Sequence, residues 1–158
     1  MKNAIKISIL FALAFSISNL ASAQDKMANN IDNSNIALQA YSPVSYADLG
    51  IAQKGVKEFK SEHNKIVYYF TSAEQKAKFD KNPEQYLPQY GGYCAFGIYA
   101  GAKFHPDPNK FIVKDGKYFL YLYNVELDAQ QLWLAENNHS GLVKKADENW
   151  KKLKKTYN

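Results

Sequence analysis

The chain has 158 residues and a formal net charge of +5, its basic side chains all lysine and none arginine. Without arginine it lacks the side chain that grips phosphates and reads guanine edges with a rigid fork, so nucleic acid is not an expected partner. A single cysteine excludes an internal disulfide, a CxxC redox pair and a zinc knuckle, so packing alone must hold the fold.

The chain opens MKNAIKISILFALAFSISNLASAQ. Lys2 and Lys6 precede an apolar run from Ile7 to about Ile17, and Ala21-Ser22-Ala23 supplies the small residues a signal peptidase needs. Residues 1–23 therefore read as a secretory signal peptide. The apolar run is short for a lasting membrane anchor, and no cysteine near the cleavage point offers a thiol for a lipid. The expectation is a mature chain starting at Gln24, periplasmic or secreted, with no stable membrane anchor after cleavage.

Residues 24–35, QDKMANNIDNSN, are polar and rich in Asn, and read as a flexible leader. Ile36-Ala37-Leu38 is a short apolar segment. In AYSPVSYADLG, Ser42 can cap, Pro43 suits a first helical position and Gly50 can stop a turn or two of helix. Gln53–Lys60 has no clear periodicity. Lys65–Phe70 is β-branched and aromatic and reads as a strand. Ser72 and Gln75 have the spacing of a capping box, which starts a helix that Asn82-Pro83 breaks. Pro83 opens a second short helix, PEQYLPQY, limited by Pro88.

Gly91-Gly92 reads as a tight turn. From Cys94 to Tyr99 a helical reading places Cys94 beside Ile98, with Gly101 as terminator. Phe104–Pro108 is loop-like. Residues 110–113 and 117–122 flank Asp115-Gly116, the strongest hairpin signal in the chain. Two helices close the domain, Val125–Asn137 and Leu142–Thr156, and Trp133 and Trp150 read as core anchors, each able to bury about 150–250 Å². The expected fold is one α+β domain over residues 36–158: a small antiparallel sheet, several short helices and two C-terminal helices.

Four segments carry a resemblance: AYSPVSYADLG, EFKSEHNKIVYYFTSAEQKAKFDKNPEQYLPQYGGYCAFGI, DPNKFIVKDGKYFLYLYN and KADENW. Together they resemble the exported bacterial YHS domain family, over roughly Ile36 to Trp150. The resemblance implies an α+β fold and a binding role. Some YHS versions are small cysteine-rich metal-binding modules, with thiolates near the opening Pro-Val and after the aromatic strand. Here Ser42 precedes Pro43-Val44, where the family often has Asp, and Thr71-Ser72 follows Phe70, so those thiolates are absent. The family's Gly-Gly-Tyr-Cys segment is kept as residues 91–94.

Cys94 has three readings. It can be a buried small apolar residue. It can be a nucleophile, which needs a histidine base from among His63, His105 and His139. It can be a metal ligand, which needs three or four converging donors, and Cys94, His105 and His63 or Asp107 are the set this sequence offers. A transition metal or a small metallated ligand is what such a site would take. No HExxH or EF-hand loop supports a metal independently. His139, between the last two helices, reads as an exposed histidine without a task. The twelve tyrosines make either a ligand groove or a core whose hydroxyls reach polar partners. Lys114-Asp-Gly-Lys117 reads as a turn without chemistry. The functional expectation is a binding domain for a metal or small ligand. The alternatives are a Cys–His enzyme and an interaction module with an envelope protein partner.

Overall fold

The computed structural model describes residues 28–156. The signal peptide expected over residues 1–23 lies outside the described residues, as does the start of the leader. Among the described residues, four strands and four α-helices follow in chain order, with short 3₁₀ and π turns between them. They are β1 (Val56–His63), β2 (Ile66–Phe70), α1 (Ala73–Lys81), α2 (Ala95–Ala100), β3 (Asp107–Lys114), β4 (Lys117–Tyr121), α3 (Ala129–Ala135) and α4 (His139–Leu153). The protein is a small α+β fold. The antiparallel structure forms two separate hairpins, β1–β2 and β3–β4, rather than one sheet. No helix among the described residues is long and apolar enough to cross a membrane.

Local chemistry accounts for most boundaries. Asp115 and Gly116 both take positive φ, which a tight β3–β4 turn requires. The unreadable stretch before Lys60 is the first half of β1, whose bulge between Val56 and Lys60 breaks the alternation that would have marked it. Ser72 accepts the Gln75 N–H and starts α1. The helix expected from Val125 starts only at Ala129. Asn124 Oδ1 accepts the Glu126 and Leu127 N–H groups, and Asp128 Oδ1 accepts those of Gln130 and Gln131. These local bonds give residues 124–128 an alternative to helix and place the cap at Asp128. The last helix begins three residues before Leu142, because Asn138 caps it through the Gly141 N–H.

β4 is the wall between two half-cores. Its residues alternate: Tyr118 and Leu120 join Tyr46, Phe70, Phe79 and Ile66 on one face. Phe119 and Tyr121 join Cys94, Ile98, Trp133 and Leu142 on the other. Period-two alternation sends successive side chains to opposite faces, so a strand buried on both sides serves two cores at once. Several tyrosines are core residues with satisfied ends, whereas the hydroxyl of Tyr121 is buried without a partner among the described residues. Tyr118 donates to the Tyr86 carbonyl at 2.9 Å and Tyr46 to that of Pro108 at 2.7 Å. Trp133 is 2% exposed, and Trp150 packs half-buried beside Tyr90 and Tyr93.

The later part of the polar leader is held against this body. Asn30 N–H donates to the Gly91 carbonyl at 2.8 Å, and its side-chain amide donates to that of Gly92 at 3.1 Å. Gly91 has φ +59°, and a Cβ there would stand 1.9 Å from the Ala28 carbonyl oxygen. Glycine is required at this position both for the left-handed backbone and for the close approach.

Candidate functional site

Cys94 sits at the junction of these elements. Its N–H donates to the Phe104 carbonyl at 3.0 Å, and the residue bridges in parallel to Leu120 on β4. Its Sγ accepts two backbone N–H groups, from Gly97 at 3.4 Å and Leu122 at 3.1 Å. The thiol thus caps α2 and ties the end of β4 to it. Cys94 is 1% exposed. Burial pushes the thiol above its ordinary pKa and outweighs the opposing pull of the backbone N–H groups, so it stays protonated at neutral pH. A buried neutral thiol that accepts hydrogen bonds is suited to packing, whereas a nucleophile or ligand needs the thiolate.

The other expected donors are placed apart. His63 ends β1, with Nε2 2.8 Å from Glu84 Oε1 and its ring edge-on to Phe79. His105 Nδ1 lies 2.5 Å from Asn30 Oδ1, with its ring 6.2 Å from that of Tyr93. Asp107 Oδ1 accepts the Asn109 N–H at 2.8 Å in a local turn. Among the described residues, no three His, Cys, Asp or Glu side chains come together in a group that could hold a metal. Cys94, His105, His63 and Asp107 are therefore not assembled into one set. The division by β4 separates two of them: His63 packs against Phe79 of the first half-core and Cys94 lies in the second. Ser42, where the resembled family often has Asp, is fully buried and donates to Gln75 Oε1 at 2.7 Å.

A different site is built where the β3–β4 turn meets α4. A cleft of about 500 Å³ opens there. Phe119 and Val143 form its apolar floor, and His139 and Ser140 stand at its helix end. Lys114, Asp115 and Lys117 come from the hairpin, and Lys144, Asp147, Glu148 and Lys151 come from α4. Positions 140, 144, 147, 148 and 151 follow the three- and four-residue steps that align one helical face. The site was hidden in the sequence because the turn Lys114–Lys117 is unremarkable without α4 beside it.

His139 is half-buried rather than idle. Trp133 Nε1–H donates to His139 Nδ1 at 3.0 Å. An indole nitrogen only donates, so Nδ1 must carry a lone pair and the neutral ring keeps its proton on Nε2. Its ring meets Phe119 and Trp133 nearly edge-on, at 5.1 and 5.6 Å between centroids. Burial lowers its pKa, and the Lys114 charge lowers it further against a smaller opposing effect of Asp115. The ring lines the cleft as a neutral donor, fixed by tryptophan from behind.

The chain matches no family model, no curated protein and no solved structure. The cleft's own geometry must carry the functional argument.

Proposed function

We propose that the chain is an exported YHS-type binding domain whose small-molecule ligand seats in the cleft between the β3–β4 turn and α4. The observation that carries this reading is the construction of the cleft. A volume of about 500 Å³ is the size of a small-molecule site, about 300–1,000 Å³ in general. An apolar floor of Phe119 and Val143 sits under a rim of polar groups from two separate elements, which is how such sites combine affinity with orientation. The arrangement binds rather than reacts: Cys94 is buried and neutral, and His139 is committed to Trp133. The YHS assignment is supported by the four sequence segments, and export by the signal-like residues 1–23. The transition-metal reading has its support in the resemblance alone.

The test is a screen of small organic molecules against the ¹⁵N-labelled protein, mapped by amide shifts. Ligands are expected to move the amides of residues 114–119 and 139–151 together. Hits that cluster around Cys94 and His105 instead, or saturable zinc or copper binding that consumes the Cys94 thiol, would contradict the proposal.

A further inference from the structure

The rim of the cleft is electrostatically unresolved. Lys114 and Lys117 face each other across the β3–β4 pair as direct register partners. Like charges directly opposite on paired strands destabilise the pairing. Lys144 and Lys151 stand on the same face of α4, across the cleft from that pair. Three carboxylates are near enough to line the same cleft, and two have the ideal helical spacing to pair: Lys144 with Glu148 and Asp147 with Lys151. Neither pair closes. The ion pairs among the described residues involve His63, Lys76, Lys78 and Lys110 with carboxylates elsewhere, and none of the four cleft lysines. Asp147 instead accepts the Tyr90 hydroxyl at 3.1 Å.

Four lysines that close no ion pair therefore line the cleft beside Asp115, Asp147 and Glu148, an excess of one positive charge, with one further neutral donor, the Nε2–H of His139. Scattered surface lysines would need no explanation, since they keep a protein soluble. These four converge on one concavity from two elements, and two of them repel each other at closest register. An anion placed among them would relieve that repulsion and gain several charge-assisted hydrogen bonds. The floor adds a second requirement. Val143, half-buried above the buried Phe119 ring, offers nothing to a bare ion and would be covered by an apolar body.

We infer that the ligand is a small organic oxyanion, a carboxylate or phosphate group carried on an apolar ring-sized body, held between Lys114 and Lys117 of the hairpin and Lys144 and Lys151 of α4. This rests on the cleft being the binding site. The ring lies on Val143, above the buried Phe119, and the His139 Nε2–H supplies an uncharged contact at the helix end.

Four matched probes test it: benzoate, phenyl phosphate, benzylammonium and benzyl alcohol, each titrated into the ¹⁵N-labelled protein. Benzoate and phenyl phosphate are expected to give saturable shifts at the amides of Gly116, Phe119, Ser140 and Lys144. The double variant Lys117→Glu/Lys144→Glu is expected to weaken both at least tenfold. Both lysines are exposed, so the variant should fold, and a thermal midpoint no lower than that of wild type checks this. The control Lys57→Glu/Lys65→Glu changes net charge equally on the other hairpin and should leave both affinities within twofold. If benzylammonium or benzyl alcohol saturates the same amides as tightly as the anions, the cleft remains the binding site and the anion inference is overturned. If none of the four probes moves those amides, the inference and the proposed function fall together.

Discussion

Replacing Cys94 by alanine separates a structural thiol from a chemical one. The Ala variant removes the acceptor for two N–H groups, those of Gly97 and Leu122. Losing a helix N-cap costs about 1 kcal/mol. Leaving the Leu122 N–H without a partner costs about 1–3 kcal/mol, toward the lower end because Leu122 is only half-buried. The sum is about 2–4 kcal/mol, which for a domain of this size lowers the thermal midpoint by roughly 6–15 °C. Serine at the same position restores an oxygen acceptor, so Cys94→Ser is expected to lose less, about 1 kcal/mol. Urea unfolding followed by tryptophan fluorescence measures both, since Trp133 packs in the same half-core as Cys94. An Ala variant within about 0.5 kcal/mol of wild type would refute the role of Sγ as an acceptor. So would a Ser variant less stable than Ala, because Sγ would then be only an apolar filler.

Other consequences follow from the same geometry. Burial raises the pKa of the Cys94 thiol and of the phenols of Tyr46, Tyr90, Tyr118 and Tyr121. The unfolded chain releases these protons from about pH 8.5 for the thiol and about pH 10 for the phenols, while the folded chain keeps them. Stability is therefore fully present below about pH 8.5 and falls as pH rises, steeply past about pH 10, which urea midpoints across pH will show. His139 has the opposite sense: its folded pKa is lowered, so the unfolded state takes up a proton below about pH 6.5 that the folded state resists, and stability falls with acid. The His139→Gln variant keeps an acceptor for Trp133 and should flatten that acid limb, and an unchanged slope would contradict the assignment. Gly91→Ala forces a Cβ to 1.9 Å from the Ala28 carbonyl and should cost more than about 2 kcal/mol while releasing Asn30 from His105. Gly101→Ala, with φ +94° and open space around it, should cost only the backbone strain of about 1–2 kcal/mol, and equal losses at the two sites would refute the close-approach account.

Local signals in the sequence were readable where they act locally. Ser72 caps α1, Asp115-Gly116 turns the second hairpin, and Gly101 closes α2 in a left-handed conformation. The features that escaped are those made by distant partners. Gln75 has the spacing to complete a capping box, yet its side chain accepts the Thr71 N–H rather than that of Ser72 and also bonds Ser42 and Ser45 from an element 30 residues away. Cys94 caps α2 locally through the Gly97 N–H, but the second bond to its sulfur comes from the Leu122 N–H, just past β4 and 28 residues away. The start of α3 is not legible in the hydrophobic spacing, which extends back to Val125, because Asn124 and Asp128 decide the backbone there. His139 looked idle because neither Trp133 nor the lysines of the β3–β4 turn can be placed beside it without the fold. The cleft is legible afterwards as two lysines flanking a tight turn and a polar stripe on the last helix, but nothing in one chain's order joins those two signals.

Occupancy of the cleft between the β3–β4 turn and α4 is open to a steric test. Ser140 lines that cleft on the exposed face of α4, so Ser140→Trp fills the cavity without entering the core. Phenyl phosphate titrated into wild type and Ser140→Trp side by side, with the unfolding midpoint of each measured as a control, tests that occupancy most directly. The account predicts saturable binding to wild type and at least a tenfold loss in a variant of unchanged stability. Equal affinity in the two proteins would place the ligand elsewhere and contradict it.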